Sequence, residues 1–161
     1  MIFTDGSGYA GHIGASTASL QHGAKSERRY LGTDSQSTVY AAELNGIEMA
    51  LTTAKNDNKE QQTAREVIIF SDIQAAIQAV QNPQRPSGQY VLVLIYEHIQ
   101  AIRSNNNNPT NITIRWIPAH VGVDGNEFVS TTVSDWPIEV YDNSVFYYPF
   151  LLAICIGFTA D

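Results

Sequence analysis

The sequence predicts an α/β domain built on a mixed five-stranded sheet flanked by helices, and two observations carry that prediction. Before residue 35 the apolar residues repeat with the period of strands. After it, helical periods alternate with short apolar runs, so the element order reads βββαβααβ. Residues 2–5 form the first strand. In 12–20, Ile13, Ala15, Thr17 and Ser19 alternate with Gly14, Ser16, Ala18 and Leu20, and a turn at Gln21-His22-Gly23 leads to a third strand at 25–32. From Thr38 the period lengthens: Leu44, Ile47, Leu51 and Ala54 recur on one helical face, with Ser37 or Thr38 as its cap. A polar linker, 56–66, precedes Val67-Ile68-Ile69-Phe70, a continuous apolar run suited to a strand covered on both faces. Ile73, Ala76, Ile77 and Val80 mark a short helix, and the proline-containing stretch 82–88 a loop. Leu92, Ile95, Ile99 and Ile102 mark a third helix, and Ile112–Ile117 the last strand. Such an order gives an antiparallel meander followed by strands delivered through helical crossovers.

The length, 161 residues, is that of one domain, and 43% of them are apolar, enough for a core that needs no disulfide or structural metal. The lone Cys155 excludes a disulfide framework and a cysteine-rich zinc site. Asp5 interrupts any N-terminal apolar run, so no secretory signal is expected and the compartment is expected to be intracellular, cytoplasm or nucleus. The apolar stretch 145–158 falls short of the roughly 20 residues of a membrane helix and contains Pro149, so no membrane partner is expected. The charge of −7 argues at first against nucleic acid. Its distribution weakens that argument. Residues 130–161 carry four acids and no Lys or Arg, leaving 12 acids against 9 bases in the rest.

Three carboxylates organise the chemistry. Asp5 ends the first strand, in Thr4-Asp5-Gly6-Ser7. Glu43 lies in the first helix, in Ala41-Ala42-Glu43-Leu44, and Asp72 ends the fourth strand, in Phe70-Ser71-Asp72-Ile73-Gln74. With the first and fourth strands as central neighbours, Asp5 and Asp72 meet at their carboxyl ends, where ligands bind in such sheets. Glu43 leans over the same point from the helix. Converging carboxylates repel and raise one another's pKa unless hard divalent cations neutralise them. Magnesium prefers such oxygen ligands, and an ion pair of this kind can hydrolyse a phosphodiester. Taken singly, an Asp at a strand end is usually a turn residue and a helical Glu usually solvated. Glu48 and Glu60 are expected to be solvated, His12, His22 and His98 to be surface or satisfied histidines, and Trp116 to be core.

The four motifs TDGS, AEL, FSDIQAAI and WIPAHVGVDGNE, in this order over residues 1–128, resemble the type 1 ribonuclease H family. The resemblance is strongest to the domain attached to reverse transcriptases of LINE-like, non-LTR retrotransposons. It implies an RNase H-like fold with sheet order 3-2-1-4-5. The implied activity is cleavage of the RNA strand of an RNA/DNA hybrid by two Mg2+ ions, for which Mn2+ can substitute, leaving 3′-hydroxyl and 5′-phosphate ends. Matching motifs assign Asp5 to bridge the metals, Glu43 and Asp72 to complete the ion on the leaving-group side, and His120 to proton transfer or product release. Gln74 matches a contact to the hybrid's minor groove, where RNA displays its 2′-hydroxyls, and Gly6, Ser7 and Asn126 match further substrate-binding positions. The expected partners are the hybrid and a reverse transcriptase domain of a parent polyprotein.

The sequence departs from the family after Glu127-Phe128. Where the family has a fourth metal-binding Asp, this chain has Ser130, whose neutral hydroxyl cannot supply a carboxylate's charge. Glu127, nearly on the same helical face, is the better substitute, ahead of Asp124, while Asp135 points elsewhere. The residues that follow, Val129-Ser130-Thr131-Thr132-Val133-Ser134, are mediocre helix formers. Residues 129–161 are therefore expected to be an aberrant C-terminal tail, read from a shifted frame or an unspliced intron, and the chain a fragment of a larger reading frame. The rival expectations are an inactive RNase H fold serving as a nucleic-acid-binding or structural module, and a different nuclease or transposase on the same fold.

Overall fold

In the computed structural model, residues 1–9, 11–19, 25–60, 65–84, 87–104, 110–118 and 158–159 are described. β1 (Ile2–Tyr9), β2 (His12–Ser19) and β3 (Lys25–Thr33) form the meander. α1 (Val39–Glu60), β4 (Arg65–Ser71), α2 (Gln74–Gln81), α3 (Gln89–Arg103) and β5 (Thr110–Trp116) follow, and β6 is the two-residue Phe158–Thr159. The sheet order is β3-β2-β1-β4-β5-β6. β1 and β2 pair antiparallel from Ile2↔Ser19 to Tyr9↔His12, and β4 lies parallel to both β1 and β5. The expected five-stranded order 3-2-1-4-5 is therefore present. β6 adds to it at the free edge of β5, antiparallel at Thr113↔Thr159 and Ile114↔Phe158, where an edge strand offers unpaired backbone groups.

The helical periodicity explains the core. Leu44, Ile47, Leu51 and Ala54 of α1 are wholly buried against Ile2, Val67, Ile69 and Ile114 of the sheet. Val91, Leu92, Ile95 and Ile102 of α3 and Ala76, Ile77 and Val80 of α2 complete the same cluster. Each such Leu or Ile contributes roughly 1.5–3 kcal/mol through burial. A second cluster forms around Phe3, Ala18 and Phe70, with the Phe3 and Phe70 rings stacked at 4.8 Å. Thr38 caps α1, accepting a hydrogen bond from the Ala41 amide at 3.1 Å.

Two boundaries differ from expectation. β1 continues four residues past Asp5, through glycines that lower strand propensity, because its pairing with β2 runs on to Tyr9. α1 extends to Glu60 into the expected linker, since Lys and Glu sustain a helix after the buried stripe has ended at Ala54. The expected turn at 21–23 lies outside the described residues. No helix among the described residues is long and apolar enough to cross a membrane.

Candidate metal centre

The site forms where two parallel strands stop pairing. β1 and β4 are joined at Ile2↔Ile69 and Phe3↔Phe70, and two residues further along each stand Asp5, on β1, and Asp72, just past the end of β4. The Thr4 hydroxyl donates to the Phe70 carbonyl at 3.0 Å, tying the strands at the last rung. Beyond it β1 and β4 no longer pair. α1 packs over this part of β1, and Gly6 is what lets it approach. A Cβ at Gly6 would lie 2.3 Å from the Glu43 nitrogen and 2.6 Å from the Ala42 carbonyl carbon. This near-contact of helix and strand backbones carries the Glu43 side chain to Asp5.

One carboxylate oxygen from each of Asp5, Glu43 and Asp72 lies within 4.8 Å of the others. Asp5 is 3% exposed and Glu43 1%. Both Asp5 oxygens and Oε2 of Glu43 lack a hydrogen-bond partner among the described residues. Burial raises the Asp5 pKa well above the usual carboxylate range, and the charges of Glu43 and then Asp72 raise it further. The nearby Gly6 amide offsets only part of this. Glu43 is raised likewise, by burial first and by Asp72 next, and a hydrogen bond shared with Asp72 favours its protonated form. Two buried acids with unsatisfied oxygens beside a third, half-buried carboxylate are costly alone, and a hard divalent cation removes both the repulsion and the missing contacts. The donor set fits such an ion.

Of the other residues singled out by sequence, Gly6 and Ser7 follow Asp5 on β1, and Gln74 is exposed at the first turn of α2. His120, Asn126, Asp124, Glu127, Ser130 and Asp135 lie outside the described residues. Trp116 is half-buried against the main cluster as expected. Its indole N–H also donates to the Asp72 carbonyl at 3.1 Å, a contact that no motif signalled.

The family model for RNase H matches residues 1–136. The chain belongs to the RNase H family. The match runs nine residues past the last of the four sequence motifs, which ends at Glu127. Among solved structures, the chain is similar to RNase H1 from the halophilic archaeon Halobacterium salinarum. That match has a TM-score of 0.50 and 15% identity, covering 70% of this chain and 82% of the other. It is also similar to the N-terminal RNase H domain of a Mycobacterium tuberculosis protein, with a TM-score of 0.51 and 16% identity, covering 73% and 86%. At such identities the likeness is one of fold. Nothing among the curated proteins matches this chain.

Glu48 corrects an expectation. It is buried, not solvated, with Oε2 2.6 Å from Nη1 of Arg29 on β3. Its Oε1 lies 3.1 Å from Nε2 of His98 on α3 and accepts from the Thr52 hydroxyl at 3.0 Å. Arg29 also donates to Asn45 at 3.1 Å, so the cluster joins β3, α1 and α3. His98 is a satisfied histidine, as expected, and His12 pairs with Tyr30 at 3.1 Å.

Proposed function

We propose that this RNase H hydrolyses the RNA strand of RNA/DNA hybrids, with Asp5, Glu43 and Asp72 holding two Mg2+ ions, or Mn2+ in their place. The observation that carries the reading is the convergence of three carboxylates, Asp5 and Glu43 buried with unsatisfied oxygens and Asp72 half-buried beside them, where the parallel strands β1 and β4 stop pairing. Bound there, divalent ions activate water for attack on a phosphodiester and stabilise the leaving oxygen. Asp5, centrally placed on β1, would hold both ions, and Glu43 and Asp72 would complete the one that serves the leaving group. Gly6 and Ser7 line the same end of β1. Gln74, exposed two residues past Asp72, stands where a hybrid's minor groove passes the site, and Asn126 adds a further contact to the hybrid. His120 serves proton transfer or product release. The motif set supports an origin in a LINE-type retrotransposon polyprotein, with a reverse transcriptase domain as its neighbour and residues 129–161 as a tail foreign to the domain. Reading the coding DNA on both sides tests this.

Ser130 favours a second reading, an inactive fold that binds hybrid or acts as a structural module, because one of the four acids is replaced by a neutral hydroxyl. In the first reading, the missing acid weakens activation of the nucleophile more than binding of the hybrid. Cleavage of a labelled hybrid by the natural chain and by Ser130→Asp separates the two. Magnesium-dependent cleavage that rises in the variant supports the enzyme, absence in both supports the module, and cleavage of duplex DNA but not hybrid overturns both.

A further inference from the structure

We propose that Trp116 is a positioning residue for the metal centre, its indole N–H holding the main chain of Asp72 at the junction between β4 and α2. The inference rests on the reading of Asp5, Glu43 and Asp72 as metal ligands. The ladder between β4 and β5 ends at Ser71↔Trp116, and that between β1 and β4 ends earlier, at Phe3↔Phe70. Asp72 therefore lies one residue beyond the last pair with β5 and two beyond the last pair with β1. On its other flank α2 begins after Ile73, an apolar N-cap residue that makes no side-chain capping bond. Asp72 thus stands at the junction between the end of β4 at Ser71 and the start of α2 at Gln74. Trp116, the residue opposite Ser71, reaches this junction with its side chain: Nε1 donates to the Asp72 carbonyl at 3.1 Å.

The chemistry of the indole suits this task. It is a donor only, so it can hold a carbonyl without competing with the carboxylates for a cation. Its ring is itself fixed by packing against the main core cluster, so the donor is anchored to the rigid part of the fold. Fixing the carbonyl restrains the backbone dihedrals on both sides of Asp72, and so sets the direction of the side chain that shares a hydrogen bond with Glu43. Outer contacts that orient metal ligands are typically worth 10–100-fold in metal affinity.

Trp116→Phe keeps an aromatic ring in the core and removes the donor. Mg2+ and Mn2+ binding is measured by calorimetry on the natural chain, Trp116→Phe, Asp5→Asn and the packing control Ile114→Val, with melting temperatures in EDTA as the readout of fold. The expected result is a loss of about ten-fold in affinity for Trp116→Phe, with its Mg2+ requirement for hybrid cleavage shifted upward by the same factor and restored by excess Mg2+. Ile114→Val is expected to lower melting temperature without moving affinity. Unchanged affinity in a folded Trp116→Phe, or an equal loss in Ile114→Val, overturns the positioning role while leaving the carboxylate reading intact. Failure of the natural chain to bind either ion, or equal binding by Asp5→Asn, overturns both. Should Trp116→Phe not fold, benzothienylalanine introduced at position 116 replaces the N–H by sulfur in the same shape, and the same outcomes decide.

Discussion

The tight backbone approach at Gly6 makes Gly6→Ala the most informative single substitution outside the carboxylates. A methyl group there meets the Glu43 nitrogen at 2.3 Å, the Ala42 carbonyl carbon at 2.6 Å and the Ala42 Cβ at 2.8 Å. Unstrained contacts of this kind lie near 3.5 Å, so α1 must retreat from β1 by about 1 Å. None of the three obstructing atoms is the far end of a flexible side chain, so no rotamer change relieves the clash. The retreat loosens Leu44, Ile47 and Leu51, all wholly buried, from the sheet. Overpacking costs typically 1–3 kcal/mol, and this case belongs at or above the upper end because backbone must move. The same displacement carries Glu43 away from Asp5, so divalent-ion affinity falls along with stability. Urea unfolding in EDTA measures the first effect and Mg2+ calorimetry the second. An unchanged urea midpoint together with unchanged Mg2+ affinity would refute the argument that this backbone approach builds the site.

The metal-free chain should lose stability as pH rises. Asp5 and Glu43 have folded-state pKa values raised by burial and mutual charge, so the folded state binds more protons than the unfolded one above the ordinary carboxylate range, and stability falls with pH there. Melts in EDTA over a pH series should show this decline, Asp5→Asn should flatten it, and Mg2+ should restore stability at the alkaline end. Glu48→Gln should cost about 1–3 kcal/mol at neutral pH, below the value for a fully buried pair because the Arg29 side chain is 42% exposed. Glu48 has a lowered pKa, chiefly through Arg29 working against the cost of burial. Its stabilisation is therefore present above the ordinary glutamate value and is lost as pH falls through the folded one, so the natural chain and the variant should converge in acid. Gly88→Ala should destabilise by about 1–3 kcal/mol in urea, because Gly88 has φ +76° at the start of α3 and a Cβ there would lie 2.4 Å from Leu44 Cδ1.

Much of this architecture was legible because it is local or periodic. The stripe Leu44, Ile47, Leu51 and Ala54 announces α1, and all four residues are fully buried. The apolar run before Asp72 announces β4, which the chain reaches from β3 through α1 and which lies parallel to β1. Asp5, Glu43 and Asp72 could be brought together on paper because Asp5 and Asp72 were read at the ends of neighbouring strands and Glu43 on the helix packed over them. What stayed hidden depends on partners distant in the chain. Glu48 looks like any helical glutamate until Arg29, 19 residues before it, and His98, 50 after it, arrive from β3 and α3. The Trp116 indole reaches across 44 residues to a main-chain carbonyl, and carbonyls leave no trace in residue identity. The extension of β1 past Gly6 was masked by the low strand propensity of glycine, although that glycine is what allows α1 to approach.

The central claim is that the three carboxylates are a metal centre for cleaving hybrid RNA, and it is tested most directly by incubating a hybrid labelled in its RNA strand with the chain and with Asp5→Asn, with and without Mg2+. The account predicts RNA cleavage only by the natural chain and only with Mg2+, leaving 3′-hydroxyl and 5′-phosphate ends. Cleavage by Asp5→Asn at the natural rate, or cleavage that persists in EDTA, would contradict it.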